Sequence, residues 1–332
     1  MNQNRAPLFE ALSRYVKKKV TKLHVPGHKY GIGLPKEMKA LLGKSSQFDL
    51  SVLEDIDSLA HPQTVIKEAE ALAAEAFGAK ETFFLVNGST LGVQAMILSV
   101  CSPNDKIIVS RNSHQSVMAG LILSGARPVY LRPEFDEEFN LPLNVKPETV
   151  KIILKKNPDA KAVLIISPTQ FGITADIKEI AKVVHKAGKI LLVDEAWGPH
   201  FKFHPEFPLP ALSSGADMVV QSTHKRLPSL SQTSMLHIQG KRIDREKVQN
   251  AIRMLQTTSP SYILLASLDL ARREMALYGK DLWKEIISLA KKARKEIKES
   301  GFRILERKYF NSLGFDSDPT NIVIEVENGF KA

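Results

Sequence analysis

One cysteine stands in 332 residues, and a single thiol excludes an internal disulfide framework. Such usage fits a reducing cytoplasm, with plain burial the expected role of Cys101. No apolar run reaches the length of a membrane-spanning helix, and the N-terminus carries charge where a secretory leader needs an apolar core. A G-x-G-x-x-G after the first strand-like segment is missing, as is a Walker-type lysine loop, so dinucleotide and ATP readings lose support.

What is present is a chain that is 43% hydrophobic, enough for one large domain with a sizeable core and a smaller appendage. The formal charge of +10 raises the question of nucleic acid. The lysines, however, are scattered, and short runs such as Lys17-Lys18-Lys19 and Lys291-Lys292 read as solvated helix faces without an accompanying nucleic-acid motif. Neither nucleic acid nor membrane is an expected partner.

The chain is organised around two apolar runs and the polar residues at their ends. Lys189-Ile190-Leu191-Leu192-Val193 reads as a buried parallel strand and delivers Asp194-Glu195-Ala196-Trp197-Gly198 to the carboxyl edge of a sheet. Asp217-Met218-Val219-Val220-Gln221 does the same for Ser222-Thr223-His224-Lys225-Arg226. Open α/β sheets bind ligands at that edge. An acid on one tip and a lysine flanked by Ser and His on the next suggest a pyridoxal phosphate site. There the lysine forms a Schiff base with the aldehyde, which requires the amine to lose its proton. The aspartate keeps the pyridine nitrogen protonated, and Ser222 and His224 can reach the phosphate.

Other segments fall around this pair. Leu8, Leu12, Tyr15 and Val16 predict an N-terminal helix. His24-Val25-Pro26-Gly27-His28 has a metal-like spacing, but Pro and Gly break the helix such a pair would need, so no metal is expected. The acidic stretch from Phe48-Asp49 to Glu54-Asp55-Ile56-Asp57 is either a solvated loop or a set of carboxylates at a site mouth. Helical periodicity from Val65 stops at Gly78, and the strand Thr82 to Val86 runs into Asn87-Gly88-Ser89-Thr90 before a further helix. A strand, a Gly-Ser-Thr turn and a helix start form a natural phosphate cradle, although Ser and Thr also serve as ordinary caps.

Lys106 to Ser110 is another strand, ending in Arg111-Asn112-Ser113-His114. His114 then stands at the same edge as Asp194, able to stack on a planar ring and move protons, or simply to cap a helix. Strands at 127–131 and 162–166 and a helix from about Asp176 to His185 continue the alternation of a doubly wound, mostly parallel α/β sheet. Thr233 to Ile238 reads as a strand, antiparallel because only a short turn region precedes it. A long helix opens at Tyr262, a separate amphipathic helix covers 281–299, and Asn321 to Val326 reads as a strand of a second domain.

Seven motifs carry a resemblance across nearly the whole chain: His24-Val25-Pro26-Gly27-His28, Asn87-Gly88-Ser89-Thr90, Arg111-Asn112-Ser113-His114, Ser167-Pro168-Thr169, Asp194-Glu195-Ala196-Trp197, Ser222-Thr223-His224-Lys225 and Thr258-Ser259-Pro260-Ser261-Tyr262. In this order they resemble the Orn/Lys/Arg decarboxylase family of fold-type-I pyridoxal phosphate enzymes. The resemblance implies a seven-stranded sheet within a large domain at 61–300, preceded by an N-terminal helical segment at 1–60 and followed at 301–332 by the start of an incomplete small C-terminal domain. It also implies Lys225 as the Schiff-base lysine, Asp194 on the pyridine nitrogen, and Ala196 and His114 on the two ring faces. Phosphate contacts would come from Ser89, Thr90, Ser222 and His224, with Thr258 reaching the partner subunit of a homodimer with a shared site.

The implied reaction is decarboxylation of arginine, lysine or ornithine in cytoplasmic polyamine formation. Two departures stand out: Gln115 occupies a position that is lysine in many relatives, and Trp197 one that is His in some. Aminotransfer or another lyase step on the same cofactor, and a cofactor-binding or partner-binding remnant without catalysis, are the alternatives.

Overall fold

The computed structural model describes residues 1–18 and 20–326; Lys19 of the basic run and positions 327–332 of the expected C-terminal segment lie outside the described residues. Seven strands, β1 (Glu81–Leu85), β2 (Lys106–Ser110), β3 (Arg127–Leu131), β4 (Ala162–Ile166), β5 (Ile190–Asp194), β6 (Met218–Gln221) and β7 (Ser234–Ile238), form one sheet in the order β1-β7-β6-β5-β4-β2-β3. The β3-β2-β4-β5-β6 pairings are parallel, and β7 runs antiparallel to both β6 and β1. The sequence expectation for the Thr233–Ile238 strand holds.

Helices cover both faces, which is why the inner strands read as continuous apolar runs rather than alternating ones. All five residues of β4 are buried. The pleat sends Val163 and Ile165 into one core, and Ala162 and Leu164 into the other. Helices of ten or more residues among the described residues are α1 (Pro7–Lys17), α2 (Val65–Phe77), α3 (Gly88–Val100), α4 (Gln115–Ser124), α5 (Pro147–Lys156), α6 (Ile177–Lys186), α7 (Arg245–Leu255) and α8 (Tyr262–Glu299). The first core takes side chains from α1, α2, α5, α6 and α8; the second takes them from α3, α4 and α7.

Local chemistry sets several of these boundaries. Asp176 caps α6 by accepting the Glu179 amide. Gly78 ends α2 in the left-handed conformation (φ +79°) that side chains other than glycine rarely adopt. Helix α1 begins at Pro7 without a side-chain cap of its own. Asp269 of α8 fills that role from afar, accepting the Leu8 and Phe9 amides at 3.0 and 3.4 Å.

Two expectations are corrected here. The helices read separately after Tyr262 and over 281–299 are a single 38-residue helix, α8. Its Gly279 does not break it, because Phe203 packs on the bare backbone with atoms 3.1–3.4 Å from where a Cβ would stand. The strand read over Asn321–Val326 shrinks to Val323–Ile324, paired with Ile304–Leu305.

Candidate active site

The carboxyl ends of β1, β2, β4, β5 and β6 open on one side of the sheet, and β7, being antiparallel, begins there. Register fixes the grouping: Ile166 lies opposite Asp194, Asp194 opposite Val220, and Leu85 opposite Ser234. A cleft of 370 Å³ results, lined by Ser89, Thr90, His114, Asp194, Ala196, Ser222, His224 and Lys225 together with Trp197, Asn112 and the Thr169–Phe171 loop. That size suits a small molecule or cofactor. Among the cofactor contacts expected from the resemblance, Thr258 alone is absent from this cleft; it sits exposed in the turn between α7 and α8.

One end of the cleft is built from hydroxyls and open amides. Ser89 Oγ lies 2.7 Å from both Ser222 Oγ and Ser234 Oγ, and Ser234 donates onward to the Gln221 carbonyl. No side chain caps the N-terminus of α3; the Gly88 amide donates to the Gln232 carbonyl at 2.9 Å, and the amides that follow in the first turn stand beside these hydroxyls. This end fits a phosphate, since N–H donors, hydroxyls and the helix dipole converge on it. His224 completes the wall, its Nδ1 held by the Thr233 carbonyl at 2.7 Å.

The other end holds the two titrating groups. Asp194 is buried, with Oδ1 accepting the Ala196 amide at 3.1 Å; among the described residues Oδ2 has no hydrogen-bond partner. Burial raises its pKa, against the pull of the Ala196 amide, Lys225 and His114. A protonated pyridine nitrogen would supply the cationic donor that this carboxylate lacks. Lys225 sits in the helical turn Thr223–Arg226, with Nζ 4.4 Å from the centre of the Trp197 ring. Burial lowers its pKa, Asp194 raises it, and Arg226 lowers it again.

His114 combines the two roles its position suggested. Lining the cleft, it also caps α4, with Nδ1 accepting the Ser116 amide at 3.2 Å. A neutral ring therefore carries its proton on Nε2.

The acidic stretch contributes nothing to the cleft. Asp49 pairs with His28 at 3.0 Å and Asp55 with Lys18 at 2.7 Å, while Asp57 accepts the amides of Ser58, Gln63, Thr64 and Ile66. These three carboxylates hold local structure, and no residue of the stretch lines the cleft of this protomer. His24, the other half of the metal-like pair, meets Tyr30 and Tyr15 instead. Ser234, buried behind the cleft wall and bonded to Ser89, was not anticipated. Its signal was the antiparallel direction of β7, which puts the first residue of that strand, rather than the last, at the ligand edge.

Comparison with known proteins identifies the family. Residues 6–317 match the model of the Orn/Lys/Arg decarboxylase major domain. The chain is 39% identical to an arginine decarboxylase of Bacillus subtilis, over 99% of this chain and 68% of that protein. It is 41% identical to an arginine decarboxylase of Bacillus anthracis, over 99% and 67%. Among solved structures, lysine decarboxylase A from Pseudomonas aeruginosa superposes with a TM-score of 0.81 at 27% identity, over 90% of this chain and 45% of that one. The chain thus spans less than half the length of that solved relative. On a family match that runs through every strand tip of the cleft, the chain belongs to the Orn/Lys/Arg decarboxylase family.

Proposed function

We propose that this chain carries the cofactor site of a pyridoxal phosphate-dependent decarboxylase of basic amino acids, with arginine the first candidate substrate. The observation that supports it most is the meeting of Asp194 and Lys225 in one cleft whose far end is a ring of hydroxyls and uncapped amides. Arginine comes first because the curated relatives identical at 39–41% over nearly the whole chain are arginine decarboxylases.

The residues divide the work by chemistry. Ser89, Thr90, Ser222 and His224, with the amides of α3, would hold the phosphate. Asp194 would hold the protonated ring nitrogen, and Ala196 and His114 would bracket the ring. Lys225 supplies the amine for the aldehyde, and its lowered pKa favours the neutral form that this needs. When bound, pyridoxal phosphate supplies an electron-withdrawing ring that delocalises the electron pair left as carbon dioxide departs. His114 and Lys225 are the groups at the cleft wall able to hold or return a proton there.

Among the described residues Asp194 is the sole carboxylate lining the cleft. A substrate's distal cation would therefore be met from outside these residues, and a homodimer with a shared site, with the exposed Thr258 turned to its partner, would supply such a contact. The cytoplasmic setting, a role in polyamine formation and the division into 1–60, 61–300 and 301–332 belong to the same proposal. Among the described residues no arginine lines the cleft to seat a second carboxylate, which weighs against aminotransfer.

Adding pyridoxal phosphate to the purified chain tests the reading. The expected result is a yellow absorbance band that borohydride fixes in the wild type and not in Lys225→Ala, with agmatine, cadaverine or putrescine as product. No band in either protein, or a keto acid as the product, overturns it.

A further inference from the structure

The Lys225 turn is gripped by a segment far from it in sequence. Asp318 is 2% exposed, and its Oδ2 accepts His200 Nε2 at 2.9 Å and lies 3.9 Å from Arg226 Nη2. Its Oδ1 takes the amide and the hydroxyl of Thr320. Asn321 Oδ1 accepts a hydrogen bond from Arg226 Nη2, while its Nδ2 donates to the Gln170 carbonyl at 3.2 Å. The Asp318 amide donates to the Gly172 carbonyl at 2.9 Å. One short stretch thus ties together three walls of the cleft: the Trp197 loop through His200, the Thr169–Gly172 loop, and the Lys225 turn through Arg226.

Those ties fix a cation beside the lysine. Arg226 Cζ lies 5.4 Å and Lys225 Nζ 4.4 Å from the centre of the same Trp197 ring. We propose that Asp318 and Asn321 make Arg226 a positioning residue, holding its guanidinium on Trp197 so that a permanent positive charge stands beside the Lys225 amine. This rests on the reading of Lys225 as the cofactor-bearing lysine.

The electrostatics run in the direction the geometry requires. Burial alone would raise the Asp318 carboxyl, but His200 and Thr320 hold it below the usual range. It therefore stays anionic, facing His200 and Arg226, with Arg294 and Arg307 close enough to feel its charge. Lys225 is faced by Asp194 and Arg226 and stands above the Trp197 ring in a cleft that His114 and His224 also line. A neighbouring guanidinium that cannot lose its proton disfavours the ammonium form of the lysine. Free of its anchors, a long arginine side chain would swing into water and its influence would be screened.

The test titrates Lys225 in the cofactor-free full chain by competitive acetylation with acetic anhydride, read by peptide mass spectrometry across pH. Arg226→Met is expected to raise the titration midpoint by about one pH unit, making the amine roughly tenfold less reactive near neutrality. Arg226→Lys restores part of the shift, and Asn321→Ala, which leaves every charge in place, gives a smaller rise. An unmoved midpoint in a folded Arg226→Met protein overturns the proposal. Should that variant fail to fold, an unmoved midpoint in Asn321→Ala does so.

Pyridoxal phosphate binding by the wild type, measured in parallel, separates the two readings. A midpoint that rises in a chain that never binds the cofactor supports the positioning and sinks the cofactor reading. A chain that binds it while the midpoint stays fixed does the reverse.

Discussion

Two buried aspartates, one at a helix seam and one at the ligand edge, behave alike by charge and differently by geometry. At the seam between α1 and α8, Asp269 is fully enclosed and both oxygens are used: Oδ2 by the Leu8 and Phe9 amides, Oδ1 by Arg272 Nη2 at 2.6 Å. At the ligand edge Asp194 is almost as deeply enclosed, yet one oxygen faces the cleft without a partner among the described residues. Burial raises the pKa of both. A shifted pKa therefore does not tell a structural acid from a working one; the unfilled oxygen does.

The contrast is broken hardest at the ligand edge. Lys225→Ala should lower decarboxylation roughly a thousandfold or more, the scale of losing a covalent group, with the melting temperature unchanged. Assay of carbon dioxide release beside thermal unfolding checks both halves. Asp194→Asn keeps the shape and removes the charge; activity should drop about a hundred- to a thousandfold. Because that charge is poorly compensated by the chain's own groups, stability of the cofactor-free protein should hold or rise, which denaturant unfolding will show.

At the seam the signs reverse. Asp269→Ala leaves Arg272 buried and unpaired and strips α1 of its side-chain cap, so a loss of about 3–5 kcal/mol is expected. Pyridoxal phosphate affinity measured on the surviving folded fraction should stay within about twofold if the seam is purely structural. A large loss of affinity would mean that the seam and the ligand edge are coupled.

The smallest effect at neutral pH concerns the residue next to Asp194. Glu195 points away from the cleft and accepts the Ala211 amide at 2.8 Å and Gln221 Nε2 at 2.7 Å. Burial pushes its pKa up to about 8. A carboxyl that stays protonated in the fold but ionises when unfolded stabilises fully below about pH 4.5 and loses that contribution as pH rises to about 8. In Glu195→Gln this dependence vanishes. The stability difference between the two proteins should change across that window, and an unchanging difference would show that Glu195 is ionised in the fold.

Much of this edge could be read from the chain. Strand runs such as Ala162–Ile166 and Ile190–Asp194 announce themselves because both faces of a covered parallel sheet are apolar, so the pattern needs no partner to be recognised. The residues just beyond each run are then bound for the ligand edge, and that is how Ser89, His114, Asp194 and Lys225 could be named in advance. The length of α8 could not: the periodic stretches after Tyr262 and over 281–299 read as two helices, and the packing of Phe203 on Gly279 between them is a contact distant in sequence.

By itself, then, the sequence determined the strand and helix periods, the direction of β7 and the residue types delivered to the carboxyl edge, all of which are local properties of a few consecutive residues. Only the tertiary structure decided that Asp57 accepts the backbone amides leading into α2, and that Ser234 joins Ser89 and Ser222. It also decided that Asp318 and Asn321 reach back some ninety residues to Arg226. The physical reason is common to all three. A polar side chain has no intrinsic destination; its role is set by which donor or acceptor the fold leaves within about 3 Å of it.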